Sequence, residues 1–186
     1  MKRILLCFFI LPFSLLAQET KISKVERVTK VETGYMFGGI INLNYLAFNG
    51  AYSIAVGHGV NIIDRIQVIP TIGVDRFQDG ILFPFYADIN ASLGKRKKGF
   101  LDFKLGYSLG TNKVANINID YRYNGGAIFS AGYGANLYKS EKVKLTIAVT
   151  YNLRNAGITY KPYDDENKIK TRFSYHLIGG KIAAIF

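Results

Sequence analysis

The sequence predicts an all-β protein, specifically an eight-stranded antiparallel up-and-down transmembrane β-barrel. The first observation is Ile81–Leu93, where apolar residues fill alternate positions, a period of two that a strand requires and a helix cannot use. At about 3.3 Å per residue the run reaches roughly 40 Å, longer than most strands of soluble domains. The second is that this alternation recurs from residue 34 onward, with no later apolar run as long as the roughly 18 residues of a membrane helix. Such a chain can cross a membrane only as a closed barrel.

The N-terminus predicts a cleaved secretory signal peptide over residues 1–17. Basic Lys2 and Arg3 precede an apolar run, and the small residue Ala17 ends it. The alternative is an N-terminal membrane helix, for which the run is too short. Cys7 is the one cysteine of the chain, so we expect the mature protein to have no disulfide or thiol chemistry. Residues 18–33 are polar without a clear period and are predicted to precede a barrel over residues 34–186.

The formal net charge of +11 raises the question of an anionic partner. Nucleic acid is one such partner, but export argues against it. The basic residues cluster at predicted turns, where attraction to phosphate-bearing lipid headgroups is the more natural interpretation. The charge therefore favours lipid headgroups as the expected partner, with no nucleic acid.

Alternation and turn residues divide the barrel into eight strands. The predicted strands are residues 34–48, 51–63, 66–76, 81–93, 100–111, 125–138, 142–160 and 171–186. Asn49-Gly50 is a strong hairpin signal between the first two. Two longer polar connections, residues 112–124 and 161–170, are expected at one end, and short turns at the other. Outer-membrane barrels have this asymmetry, with the long loops outside the cell.

Two features of the strands are irregular. Pro84 removes a ladder hydrogen bond, so we expect it near the outer rim, where that loss costs least. The apolar phase of the last strand becomes ambiguous at Gly179-Gly180, where a bulge or kink would be tolerated.

The two faces of the strands favour a membrane barrel over a soluble lipocalin-like barrel. The polar face is rich in Gly, Ser, Thr and Asn and poor in the Lys and Glu of soluble surfaces. Its charged residues are predicted to form a polar network in the lumen: Asp88, Asp102, Lys104, Lys144 and Arg154. The large apolar residues are predicted to face lipid: Phe83, Phe85, Phe103, Leu105, Phe129 and Leu145. An eight-stranded lumen filled in this way is not a pore.

The chain resembles small OmpA/OmpX-type barrels of Gram-negative outer membranes over about residues 34–186. The resemblance comes from the combined signal peptide, strand count, loop asymmetry and terminal Phe186. "ILFPFYADI" followed by "FLDFKLGYSLG" is also similar to the fourth and fifth strands of the generic outer membrane beta-barrel protein family. The resemblance implies that Phe186 is a signal read by the outer-membrane assembly machinery, which would be a further partner.

We find no catalytic motif, cofactor site or metal site in the sequence. His176 and Ser174 suggest an alternative, an outer-membrane enzyme acting on envelope lipid, but no third member of a triad is identifiable. His58 is given no role, and Asp164-Asp165-Glu166 is expected to be a solvated loop although it could recruit Ca²⁺. Lys95-Arg96-Lys97-Lys98 is likewise expected to be a solvated turn.

The expected function is therefore non-enzymatic. The barrel would act through its extracellular loops in adhesion, envelope integrity or interaction, with an extracellular partner that the sequence does not identify. A secreted soluble barrel that binds a small apolar ligand is the remaining alternative.

Overall fold

A computed structural model describes residues 26–42, 45–78, 80–94, 96–111, 120–161 and 169–186. Residues 42, 45–47, 120, 121, 160 and 161 are described by their backbone only. No helix in these ranges is long and apolar enough to cross a membrane.

The described chain forms nine strand segments. They are β1 (Glu26–Asn42), β2 (Tyr45–Ile63), β3 (Ile66–Phe77), β4 (Ile81–Leu93), β5 (Gly99–Gly110), β6 (Asp120–Asn124), β7 (Ala127–Lys139), β8 (Lys144–Lys161) and β9 (Ile169–Ile185). Each strand pairs antiparallel with its neighbours, and β9 pairs with β1 from Lys30↔Ile185 to Ile41↔Ser174. Because the last strand meets the first, the sheet has no open edge, and the predicted eight-stranded antiparallel barrel is confirmed.

β6 and β7 together occupy one of the eight strand positions. Both pair with β8, β6 through Asn124↔Gly157 and β7 through Ile128↔Arg154, and their registers differ by one residue. Gly125 and Gly126 form the break between them, where the Ser108 amide donates a hydrogen bond to the Gly126 carbonyl oxygen at 2.8 Å. A one-residue offset of this kind bends a strand locally.

The barrel has two different ends. At the short-turn end, residues 64–65, 94–98 and 140–143 connect strands, and β1 begins. At the loop end, residues 43–44, 78–80, 111–119 and 162–168 connect strands. The two longest connections therefore share one end, as the sequence predicts.

The first hairpin is not where the turn signal predicts it. Asn49 and Gly50 lie inside β2, opposite Gly38 and Phe37 of β1, and the connection is at residues 43–44. Strand pairing over the whole length of β1 thus outweighs the local Asn-Gly preference. Within the strand, the Gly50 amide donates a hydrogen bond to Asn49 Oδ1 at 2.7 Å.

Three other boundaries differ from prediction. β1 begins at Glu26, so residues 26–33 belong to the first strand and not to a polar leader. The predicted loop 112–124 contains β6, because residues 120–124 extend the wall alongside β8. Pairing between β8 and β9 continues in one register through Gly179-Gly180, without the bulge that the sequence permits.

Two prolines coincide with gaps in the ladder. Pairing of β3 with β4 stops between Ile72↔Phe85 and Asp75↔Leu82, next to Pro84. Pairing of β2 with β3 stops between Gly57↔Thr71 and Val60↔Val68, next to Pro70. A proline nitrogen has no hydrogen to donate, which accounts for both gaps. Pro84 is the fourth residue of β4 and lies toward the loop end.

The space around a glycine depends on which face of the wall it occupies. A side chain at Gly106 would collide with the backbone of Phe85 and Tyr86 on β4, whereas Gly180 on the outer face has open space around it. A side chain is therefore excluded at inward-facing Gly106 but can be accommodated at outward-facing Gly180.

We predict that Gly106→Val lowers the free energy of unfolding by about 1–3 kcal/mol, because the added atoms overpack the wall. Gly180→Val, the matched control, should change it by less than about 0.5 kcal/mol. The measurement is the urea midpoint of barrels folded in detergent micelles. Equal effects of the two substitutions would contradict the crowding that the structure gives Gly106.

Candidate functional site in the barrel lumen

A cluster of charged side chains fills the middle of the lumen. Lys30 and Glu32 come from β1, Asp88 from β4, Lys104 from β5 and Lys181 from β9. Lys30 Nζ lies 2.9 Å from Glu32 Oε2 and 2.8 Å from Asp88 Oδ2. Lys104 Nζ contacts Glu32 Oε1 and lies 3.5 Å from Asp88 Oδ2, and Lys181 Nζ lies 3.7 Å from Glu32. All five are buried, as strand alternation requires of their inward positions.

The surroundings of this cluster are also polar. Asn90 donates from Nδ2 to Asp88 Oδ1 at 2.7 Å, and the Tyr86 ring centroid lies 4.9 Å from Lys104 Nζ. Asp102 is 1% exposed and stands opposite Asn90 in the β4–β5 register. Within the described ranges neither of its carboxylate oxygens accepts a hydrogen bond. The cluster thus combines paired charges with one carboxylate held beside them.

A second ion pair crosses the lumen nearby. Arg154 Nη2 on β8 lies 3.3 Å from Asp75 Oδ2 on β3, and both side chains are buried. β3 and β8 are four strand positions apart in a barrel of eight, so they face each other across the lumen. The same holds for β1 and β5, which supply Glu32 and Lys104. These ion pairs therefore brace opposite walls.

Apolar layers lie on both sides of the charges. At the short-turn end Val28, Ile69 and Ile185 pack together. At the loop end the Phe77 and Tyr175 rings stack at 4.3 Å between centroids, and the Tyr123 and Tyr175 hydroxyls share a hydrogen bond of 2.6 Å. The other buried side chains of this layer are Met36, Ile40, Ala51, Leu82, Ala156, Phe173 and Leu177. The described side chains of the lumen thus form a charged layer between two apolar layers.

The structure brings together only some of the predicted lumen residues. Asp88, Asp102 and Lys104 lie in or beside the central cluster, and Arg154 belongs to the separate pair with Asp75. Lys144 lies apart at the short-turn end, with Nζ 5.6 Å from the Phe100 ring centroid.

Sequence reasoning missed four participants: Lys30, Glu32, Asp75 and Lys181. Lys30 and Glu32 fall in the segment interpreted as a leader, although Val28, Lys30 and Glu32 keep the strand period. Lys181 follows the glycine pair that obscures the phase of the last strand. Asp75 lies on the polar face of its strand, but the strand pattern does not identify Arg154 as its partner, because that partner lies across the barrel.

The outer wall carries the residues predicted to face lipid. Phe83, Phe85, Phe103, Leu105, Phe129 and Leu145 are all exposed, up to 67% at Leu105. Exposed tyrosines accompany them, and the Tyr35 and Tyr52 rings lie 4.9 Å apart. Outward positions are apolar over residues 145–153 of β8 and from 178 to 186 along β9. Nine residues are at the lower end of the length that a tilted strand needs to cross a bilayer, about 9–11.

The candidate catalytic side chains face outward and bind separate partners. His176 Nδ1 shares a 2.6 Å hydrogen bond with the Tyr151 hydroxyl, and Ser174 Oγ donates to Asn155 Oδ1 at 2.8 Å. His58 Nδ1 lies 2.9 Å from Thr29 Oγ1. Among the described residues no group of three His, Cys, Asp or Glu side chains could hold a metal ion. Residues 164–166 lie outside the described ranges.

Phe186 is hydrogen-bonded to the first strand. Its amide donates to the Thr29 carbonyl oxygen at 2.9 Å, and the Thr29 amide donates to its carbonyl oxygen at 3.0 Å. The Phe186 side chain is exposed on the outer face.

Comparison with solved structures identifies the fold. Outer membrane protein AlkL, determined in lipid bilayers, aligns at 12% identity over 91% of this chain and 94% of its own, with a TM-score of 0.53. OprG of Pseudomonas aeruginosa aligns at 7% identity over 90% of this chain and 99% of its own, with a TM-score of 0.46. Only the first score exceeds 0.5, and at this identity it supports the fold alone. The sequence matches no protein-family model and no curated relative. The resemblance to small outer-membrane barrels is thus confirmed as a resemblance of fold.

We predict that Arg154→Met destabilises the barrel by about 3–5 kcal/mol, because it leaves the buried Asp75 carboxylate without its cation. The double variant Asp75→Leu/Arg154→Met removes both charges and should recover most of that loss. Urea unfolding in detergent micelles measures both, with Lys142→Met on the exposed turn as a control. A double variant no more stable than the single one would contradict the importance of the pairing.

Proposed function

We propose that this chain is a non-enzymatic integral outer-membrane β-barrel, exported through a cleaved signal peptide, that acts through its loop end in adhesion, envelope integrity or interaction. The observation that carries the proposal is the inversion of its two faces. Lys30, Glu32, Asp88 and Lys104 are buried, whereas large apolar side chains such as Leu105 are exposed. In water an exposed apolar surface of this extent would drive association, while in lipid it is the stable arrangement.

The filled lumen supports a role outside solute transport. Ion pairs join opposite walls of the lumen, and an apolar layer packs on each side of them. Eight strands enclose only enough space for side chains to fill. Function would then reside at the ends of the barrel and on its outer surface.

The hydrogen bonds of Ser174 and His176 favour the non-enzymatic interpretation. A nucleophilic serine requires a base within hydrogen-bond reach, whereas here Ser174 donates to Asn155 and His176 bonds with Tyr151. Outer-membrane lipid and lipopolysaccharide, together with the assembly machinery that would read Phe186, are the partners that this function requires.

We predict that Leu105→Arg destabilises the barrel in lipid vesicles by about 2–4 kcal/mol, the cost of a cation near the bilayer midplane. Tyr138→Arg, at the rim beside the turn after β7, should cost only about 0–1 kcal/mol. Reversible urea unfolding from vesicles measures both. Two equally small effects, as on a soluble surface, would contradict membrane insertion, as would recovery of the native protein in the soluble fraction without detergent.

We also predict that the purified barrel releases no small solute from liposomes beyond the rate of protein-free liposomes. The expectation follows from the filled lumen, and an open porin serves as the positive control. Efflux of trapped glucose that rises with the amount of folded barrel would contradict the closed state.

A further inference from the structure

The outer wall changes character toward the loop end. On β8 the apolar outward positions give way to Asn155, Gly157 and Thr159 beyond Leu153. On β9 the outward positions preceding Ile178 are His176, Ser174, Arg172 and Lys170 in that order toward the loop end. Along β9, the outward residues therefore pass from apolar to hydrogen-bonding to cationic, while on β8 they pass from apolar to hydrogen-bonding.

A groove of about 810 Å³ lies across this part of the wall. Outward-facing Ile41 and Tyr107, which belong to strands β1 and β5, line it on opposite sides. Between them the lining side chains are small or absent at Gly126, Ala127 and Gly157. The break between β6 and β7 thus falls inside the groove and removes bulk from its floor.

Two cations, Lys170 and Arg172, line the upper part of the groove, and a third, Arg122, stands beside it on β6. Lys170 pairs with Thr159 across β8–β9, and Arg122 pairs with the same Thr159 across β6–β8. With strands about 4.8 Å apart, the backbones of Lys170 and Arg122 are separated by roughly 10 Å. Arg172 lies one outward position below Lys170, and all three side chains are exposed. Within the part of the chain that the structure describes, none of the three has an ion-pair partner, and no carboxylate lines the groove.

We propose that this groove binds the phosphorylated headgroup of a glycolipid in the outer leaflet, and this proposal rests on the outer-membrane function proposed above. Phosphate would meet Arg122, Lys170 and Arg172, since arginine and lysine form strong charge-assisted hydrogen bonds with phosphate oxygens. Sugar hydroxyls would meet Asn155 and Ser174. The acyl chains would lie along the apolar wall below. The axial order of the wall is the order of groups in such a lipid, which distinguishes it from a soluble phosphate compound.

The test uses the full mature chain in detergent micelles and native mass spectrometry. The probes are bis-phosphorylated lipid A, the same lipid A without phosphates, and phosphatidylglycerol. The groove variant Arg122→Gln/Lys170→Gln/Arg172→Gln is compared with Arg65→Gln/Lys139→Gln/Lys142→Gln, which removes the same charge from exposed positions at the short-turn end. We expect the groove variant to bind bis-phosphorylated lipid A at least tenfold more weakly than wild type, and the control variant to change by less than twofold.

Other outcomes would overturn the proposal. They are an unchanged affinity of the groove variant, an equal loss in the control variant, equal binding of dephosphorylated lipid A, or phosphatidylglycerol binding as tight as that of lipid A. The retarded migration of unheated folded barrels on gels verifies that each variant folds. Failure of the outer-membrane function itself would be visible separately, as wild-type protein that is soluble without detergent.

Discussion

The narrowness of an eight-stranded barrel is the constraint on which the rest of this structure depends. Side chains from opposite walls meet in the middle, so an inward charge must find its counter-ion across the lumen or remain buried alone. Arg154 with Asp75 and Lys104 with Glu32 satisfy this requirement between strands that face each other. Glycines such as Gly106 relieve the crowding in the narrow lumen, because they leave room for neighbouring residues.

This internal packing explains why the chain has two such different faces. Charges that brace the lumen occupy the positions that a soluble barrel would give to its apolar core, so the apolar residues lie outside. On β8 and β9 the outward positions are uniformly apolar only over residues 145–153 and 178–186, the part suited to hydrocarbon. Where the wall changes, near Asn155 and Arg172, it gains hydrogen-bonding and charged groups that a purely structural wall does not need.

Strand period alone predicts much of the fold and part of the candidate site. It assigns Asp88, Lys104 and Arg154 inward and Phe83 and Leu105 outward, because each strand has only two faces. It cannot assign partners across the lumen, since those depend on the stagger of strands around the closed barrel. The errors at Asn49-Gly50 and over residues 26–33 share another cause. A local turn signal and a polar composition carry no information on the pairing of β1 along its full length, which only the closed sheet reveals.

The pairing of β1 with β9 has a consequence for how the protein folds. Glu32 on the first strand contacts Lys181 on the last, so the central cluster draws on residues separated by nearly the whole described chain. Contacts of such high order delay folding, because the entropy of closing a long loop must be overcome before they form. A partly assembled sheet would hold Lys30 and Glu32 on an unclosed edge. Closure of the seam and neutralisation of the interior are therefore expected to be a single cooperative event, which gives the folding transition an all-or-none character.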